Sequence, residues 1–240
     1  MPLLLHIETT TKACSVGLSR DGQMAALRES VDKDYAHSNL LTVYIEELFA
    51  AAGVTPDQLD AVAVSSGPGS YTGLRIGVSA AKGLCYALDI PLIAVNTMRA
   101  LAVVARNRIT TCKGYLSPNS LELLYCPMID ARRMEVYYAL FDSKHRPIKE
   151  TGAAIIDENS FKKQLESKKI IFFGDGAEKC RPLIQSKNAL FLKDVWPSAK
   201  GMIQEAESKW EQKDFVNLAY FEPYYLKDFV AGKPKVKGLH

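Results

Sequence analysis

Between residues 60 and 83 an apolar strand runs into a glycine-rich turn, and the turn opens a helix. The strand is Asp60-Ala61-Val62-Ala63-Val64. The turn and first helical residues are Ser65-Ser66-Gly67-Pro68-Gly69-Ser70-Tyr71-Thr72-Gly73-Leu74-Arg75-Ile76-Gly77. Gly67 and Gly69 allow backbone angles that side chains forbid, and Pro68 fixes its own φ between them. Such a turn aims backbone N–H groups outward at a helix N-terminus, where anions bind well. Arg75 adds a planar donor fork suited to phosphate or carboxylate. Two common nucleotide signatures are excluded. Gly73 is followed by Leu74 and Arg75 rather than by Lys and Ser or Thr, and Gly67, Gly69 and Gly73 put the third glycine one residue too late for a dinucleotide fingerprint. Taken alone, the turn supports an anion cradle and an unliganded strand-to-helix connection equally.

The helix after the turn is rich in small residues: Gly73, Gly77, Ala80, Ala81 and Gly83, with Leu84, Cys85 and Leu88 continuing an apolar face. A glycine inside a helix costs on the order of 1 kcal/mol relative to alanine. Several in one helix call for the close approach of another backbone, from within the chain or from a second subunit. The expectation is a partner interface made by Gly73, Gly77, Ala80, Ala81 and Leu84, together with Leu41, Tyr44, Ile45 and Leu48 of an apolar helix over 37–52.

Composition narrows the class. The chain has 240 residues, 48% hydrophobic and 24% charged, with a net charge of +3, too small by itself to argue nucleic-acid binding. No apolar run approaches the roughly 20 residues of a membrane span. Met1-Pro2-Leu3-Leu4-Leu5-His6-Ile7-Glu8 lacks a basic n-region and a cleavage site, so it reads as a first core strand rather than a signal peptide. Cys14, Cys85, Cys112, Cys126 and Cys180 are scattered and contain no C-x-x-C pair. Reduced thiols in a cytoplasmic protein fit better than a disulfide framework or a zinc site.

Along the chain, Leu3–Ile7 reads as a strand buried on both faces. Residues 13–20 alternate, Asp21-Gly22 is a hairpin turn and 24–31 is a third strand. The apolar spacing then turns helical over 37–52, ending at Gly53. A strand over 60–65, a helix over 73–88, a strand over 91–95 and a helix over 97–106 follow. The pattern recurs: Tyr125–Asp130 is a strand ending in an acid, 134–141 alternates, Pro147–Ile156 is a third strand, 161–169 is a short helix, and Ile170-Ile171-Phe172-Phe173 runs into Gly174-Asp175-Gly176. Two such halves predict an α/β protein of the actin/hexokinase/Hsp70 (ASKHA) architecture with a cleft between the halves. The N-terminal subdomain is expected over 1–106 and the C-terminal one over 107–240, with a linker near 105–122 and a last helix packing back on the first subdomain.

Five segments carry a family resemblance: Ile7-Glu8-Thr9-Thr10, Cys14-Ser15-Val16-Gly17-Leu18, the Gly67–Gly77 motif, Ile129-Asp130-Ala131-Arg132 with Glu135-Val136-Tyr137, and Glu222-Pro223-Tyr224-Tyr225-Leu226. They resemble the TsaB (YeaZ) family nearly end to end, most densely over 3–105. The resemblance implies a bacterial, cytoplasmic partner subunit of TsaD, which transfers threonylcarbamoyl to adenosine 37 of tRNAs reading ANN codons. TsaD and the ATPase TsaE are the implied partners, tRNA is reached indirectly through the complex, and the isolated chain is expected to be a homodimer. No intrinsic cofactor is implied, although ATP or ADP could sit at or near the partner interface. TsaD-like proteins carry H-x-x-x-H on the helix after the strand that matches 91–95, a spacing that puts two imidazoles on one helical face. The matching positions here are Thr97 and Leu101, and His6, His37, His145 and His240 contain no i,i+4 pair. The expectation is a partner without metal or catalytic residues. The alternatives are an ATP-dependent small-molecule kinase of the same fold, which would need a catalytic aspartate and complete phosphate loops in both halves, and a metallopeptidase, which the missing H-x-x-x-H disfavours.

The phosphate- or nucleotide-facing candidates are Glu8, Thr9, Thr10, Gly67, Gly69, Ser70, Arg75 and Asp130. Thr9-Thr10-Thr11 occupies the place of a first phosphate hairpin, and Glu8 stands where nucleotide-hydrolysing relatives hold a metal; a hydrogen-bonded hairpin without ligand is the equal alternative. His6 and Glu8 share one strand face, as a polar pair or a shared metal or proton site. Asp130 and Arg132 sit at the second hairpin, as an internal salt bridge or as catalytic groups. Gly174-Asp175-Gly176-Ala177 resembles the adenosine-side turn. His37 reads as a solvated first-turn histidine, and the basic Gly232–His240 end as a solubilising tail with tRNA phosphate as the alternative contact.

Overall fold

The structure is a computed structural model that describes residues 2–31, 37–111 and 122–227. The first half is β1 (Leu3–Glu8), β2 (Ala13–Arg20), β3 (Gln23–Val31), α1 (His37–Ala52), β4 (Ala61–Gly67), α2 (Tyr71–Leu88), β5 (Leu92–Asn96) and α3 (Thr97–Thr111). The second is β6 (Leu123–Asp130), β7 (Glu135–Phe141), β8 (Pro147–Ile155), α4 (Lys162–Ser167), β9 (Lys169–Phe173), α5 (Ala177–Cys180), β10 (Ala189–Leu192) and α6 (Ala199–Gln212). The sheet orders are β3-β2-β1-β4-β5 and β8-β7-β6-β9-β10. In each, the first three strands are an antiparallel meander and the last two run parallel to the first. One topology is thus built twice, and it is the ASKHA architecture.

Every residue of β1 is buried, as its largely apolar run predicts of a strand covered on both faces, with His6 and Glu8 buried among hydroxyl partners. Leu3, Leu5 and Ile7 point to one side, into a cluster with Leu41, Ile45, Leu48, Val78, Ala81 and Cys85 of α1 and α2. Leu4 points to the other, against Ala100 of α3 and Met202 and Ala206 of α6. The helices after the fifth strands are exchanged between the halves. Met98, Leu101, Ala105 and Ile109 of α3 pack with Tyr125, Phe141 and Phe173 of the second sheet, while α6 covers the first. Its N-cap Ser198 donates to Glu29 Oε2 at 2.7 Å, and Ala199 N donates to Ser15 Oγ at 3.0 Å. The two helices cross where Gly201 meets the Ala100 carbonyl; a Cβ there would overlap it.

This packing corrects the expected partner interface. Leu41, Ile45, Leu48, Gly73, Gly77 and Ala81 are buried inside the chain's own first layer. The glycines exist because the β1–β2 hairpin lies against α2: a Cβ on Gly73 would overlap the Thr9 carbonyl oxygen, and one on Gly77 would overlap Thr9 Oγ1. The approaching backbone is internal. Of the nine expected interface residues, Tyr44, Ala80 and Leu84 retain exposed surface. Helix α3 runs five residues past its expected end at 106, because Ile109 still has core to fill. The rest of the expected linker, 112–121, and the basic tail lie outside the described residues. No described helix is long and apolar enough to cross a membrane.

Candidate functional site

The first hairpin and the glycine-rich turn interlock. Ser70 N donates to Thr10 O at 2.6 Å, and Thr9 Oγ1 donates to Gly73 O at 2.8 Å. Ser70 is the N-cap of α2, its Oγ accepting from Gly73 N at 3.3 Å. The helix therefore starts at Tyr71, two residues earlier than its apolar spacing suggests, because the serine satisfies a first-turn donor. The Gly67–Pro68 peptide is cis.

Under this turn lies a sealed polar pocket. Glu8 is fully buried. Its Oε1 accepts from Thr10 N at 2.7 Å and from Thr10 Oγ1 at 2.5 Å, and its Oε2 accepts from Ser65 Oγ. Burial pushes its pKa up, and these hydrogen bonds partly oppose the rise. Glu8 and Thr9 thus staple the hairpin to β4 and α2 from beneath and do not reach the cleft. His6 is equally buried and pairs with Ser19 Oγ at 2.7 Å, not with Glu8. The shared strand face is real, but each group has its own hydroxyl partner. His37 is buried rather than solvated, with Nε2 2.6 Å from Thr11 O.

His6 makes a testable contribution to pH dependence. Burial lowers its pKa from 6.5 to about 3, so the folded protein holds it neutral. Below pH 6.5 the unfolded chain takes up a proton that the folded chain refuses, and stability falls as pH drops toward 3. One such group contributes at most about 1.4 kcal/mol per pH unit. We expect urea unfolding of His6→Asn between pH 7 and 4 to show a shallower loss of stability than the native chain. An unchanged slope would remove His6 as its source.

The cleft lies between the halves and encloses about 920 Å³. Thr10, Gly69 and Ser70 line it from the first half and Asp130 from the second; Gly67 and Arg75 do not. Gly67 is turned under the chain at φ 107°, against the Tyr224 carbonyl. Arg75 is exposed, with its guanidinium 5.4 Å from the Tyr71 ring centroid. At the second hairpin Asp130 pairs with Lys179, not with the Arg132 side chain; Arg132 contributes its backbone N–H to Asp130 Oδ1 at 2.8 Å. The same ammonium donates to the Arg133 and Glu135 carbonyls, each at 2.7 Å, which locks the turn from behind. Asp175 lines the floor, accepts from Asp130 N at 3.1 Å, and is pushed up to about 6 by burial.

Three features escape the sequence reading. Lys179, which locks the second hairpin, sits on the four-residue α5, too short to show periodicity. Arg133 shares with Arg132 a left-handed turn that asparagine and glycine usually fill. The segment 216–227 straps the two halves together: Val216 N donates to Leu92 O, Tyr224 N to Ser66 O, Tyr225 packs 4.8 Å from Tyr71, and Lys227 pairs with Glu135. The Glu222–Leu226 segment signalled only a resemblance.

Among the described residues no group of three His, Cys, Asp or Glu is placed to hold a metal. Thr97 and Leu101 are fully buried. The described cysteines are buried too, and burial pushes Cys14, Cys85 and Cys180 up to about 11, far from thiolate nucleophiles.

The family model described as TsaD, tRNA N6-adenosine threonylcarbamoyltransferase, matches residues 32–234. The tRNA threonylcarbamoyladenosine biosynthesis protein TsaB of Escherichia coli is 29% identical, with 96% of each chain covered. Its namesake in Haemophilus influenzae is 26% identical over 96% of this chain and 95% of that one. YeaZ from Pseudomonas aeruginosa superposes with a TM-score of 0.74 at 25% identity, covering 94% of this chain and all of that one. The chain belongs to the TsaB (YeaZ) branch of that family.

Proposed function

We propose that the chain is an accessory subunit in the formation of threonylcarbamoyladenosine at position 37 of tRNAs reading ANN codons. In this reading it binds a TsaD catalytic subunit, works alongside TsaE, and supplies no chemistry itself. The observation that carries the reading is the fate of the reactive positions. Thr97 and Leu101 are core residues, Glu8 is sealed beneath the first hairpin, and Asp130 is neutralised by Lys179. A protein with this fold but without those groups can still act by binding the active state of a partner more tightly than the inactive one. The test is reconstitution with cognate TsaD and TsaE, threonylcarbamoyl-adenylate and tRNA, with the modified nucleoside quantified by liquid chromatography. Adding the chain should raise product formation at least tenfold, and the chain alone should form none. Full activity without it, or turnover by it alone, overturns the proposal.

A further inference from the structure

The β6–β7 turn places two arginines on a backbone that disfavours them. Arg132 has φ 70° and Arg133 φ 52°. Left-handed angles cost a side-chain-bearing residue roughly 1–2 kcal/mol each, and strain of this kind collects where function requires it. Both arginines are exposed on the rim of the cleft, and among the described residues neither has a carboxylate partner. The neighbouring acids are already engaged: Asp130 with Lys179, Glu135 with Lys227, Glu178 with Arg181 and Lys193. Asp194 is the remaining acid on the rim, and half-buried Asp175 is held by the Asp130 N–H. Among the described residues the lining holds five acids and five bases, and the two guanidiniums are bases left without a carboxylate partner.

Tyr71 and Tyr225 line the same cleft as a tilted aromatic pair. The Arg75 guanidinium lies over Tyr71, and Tyr71 packs on Tyr225 at 4.8 Å. Tyr225 and Tyr224 are exposed on the strap, and both line the cleft. Lys227, two residues after Tyr225, pairs with Glu135, two residues after Arg133. The tilted pair and the arginine turn therefore line one cleft, joined by that ion pair.

We propose that this rim binds single-stranded RNA, with phosphates on Arg132 and Arg133 and an unpaired base stacked on Tyr225. Aromatic faces and paired guanidiniums are what unpaired RNA uses; duplexes offer no free base. A mononucleotide also carries a base and phosphate, so displacement by ATP is one of the outcomes tested. The proposal does not rest on the partner role above: it is measured on the isolated full chain, and its failure would leave the reconstitution result untouched.

The probe is a fluorescein-labelled, unstructured RNA of about ten nucleotides, followed by anisotropy at several salt concentrations. The native chain should bind, more weakly as salt rises. The double variant Arg132→Asn/Arg133→Gly suits the turn better than the native pair, so its melting temperature should hold or rise. Its affinity should fall about tenfold, and its salt slope should flatten by about 1.4, or 0.7 per lost phosphate contact on a single strand. Tyr225→Ala should cost roughly tenfold, whereas Tyr225→Phe keeps the stacking face and should bind as the native chain does. Native affinity in the double variant overturns the proposal, because the RNA would then be held elsewhere. So does equal affinity for poly-glutamate or duplex RNA in place of the single strand, or full displacement of the RNA by equimolar ATP.

Discussion

Replacing Gly73 with alanine is expected to destabilise the isolated protein by about 3–5 kcal/mol. The added methyl would overlap the Thr9 carbonyl oxygen. That atom is backbone, held between β1 and β2, and cannot rotate away as a side chain would. Overpacking of a tight core costs typically 1–3 kcal/mol, and here the shift would also disturb the Thr9 Oγ1 bond to Gly73 O and the Ser70 N bond to Thr10 O. For a chain of this size each kcal/mol lowers the melting temperature by about 2–4 °C, so a drop of roughly 6–20 °C is expected by calorimetry or circular dichroism. Gly77→Leu should be worse, because its Cβ meets Thr9 Oγ1 and the larger side chain has nowhere to go. These are folding variants, and any loss of partner binding in them would be secondary. A Gly73→Ala protein melting within two degrees of the native chain would show that the hairpin is not seated on α2 as described.

Gly83→Trp should have the opposite signature: an intact fold and a lost function. A Cβ on Gly83 meets nothing within 4 Å, and replacing glycine inside a helix removes a propensity penalty of up to about 1 kcal/mol. The melting temperature should therefore hold or rise slightly. Gly83 stands between Ala80 and Leu84 on the outer side of α2. Of the expected interface, Tyr44, Ala80 and Leu84 keep exposed surface, and Val43 (44% exposed) on α1 and Tyr86 (84% exposed) on α2 are exposed apolar residues of the same two helices. If TsaD docks there, an indole standing on that surface holds it off, and stimulation in the reconstituted reaction should fall at least tenfold. Ala80→Trp should behave likewise. A Gly83→Trp protein that stimulates TsaD as well as the native chain would move the docking surface elsewhere, while the accessory role itself would stand or fall on the reconstitution.

Much of this molecule is legible in its sequence, for reasons that particular elements make clear. The duplicated meander could be read because β1 and β6 are mainly apolar runs closing on an acid, each followed by an alternating strand. Helix α1 was readable to the residue because its apolar spacing is regular and Gly53 ends it. The face of α2 was not. Spacing shows which side is small and apolar, but not whether a strand hairpin or another protein lies against it, and a glycine that admits Thr9 looks the same as one that admits a partner helix. The fate of Glu8 was hidden for a similar reason. A carboxylate at a strand end faces a cleft or a sealed pocket depending on where Ser65 falls, 57 residues away. Asp130 lines the cleft, but its counter-ion Lys179 lies 49 residues on, and no local pattern links the two. Local periodicity encodes elements; distant polar pairings are decided only when the chain has closed.

The exchange of α3 and α6 between the halves also bears on how the chain is made. The face of β1 that carries Leu4, His6 and Glu8 is covered by α6, whose residues 199–212 leave the ribosome last among the described helices. During synthesis the first sheet therefore waits with one side bare, and so does the stretch of α3 that will meet Gly201. The N-terminal half can hold its meander and its α1–α2 layer, but its second layer arrives only with the end of the chain. Fragments cut near residue 111 should consequently be sticky and prone to associate, and the nascent chain is a natural client for a holding chaperone until Ser198 reaches Glu29.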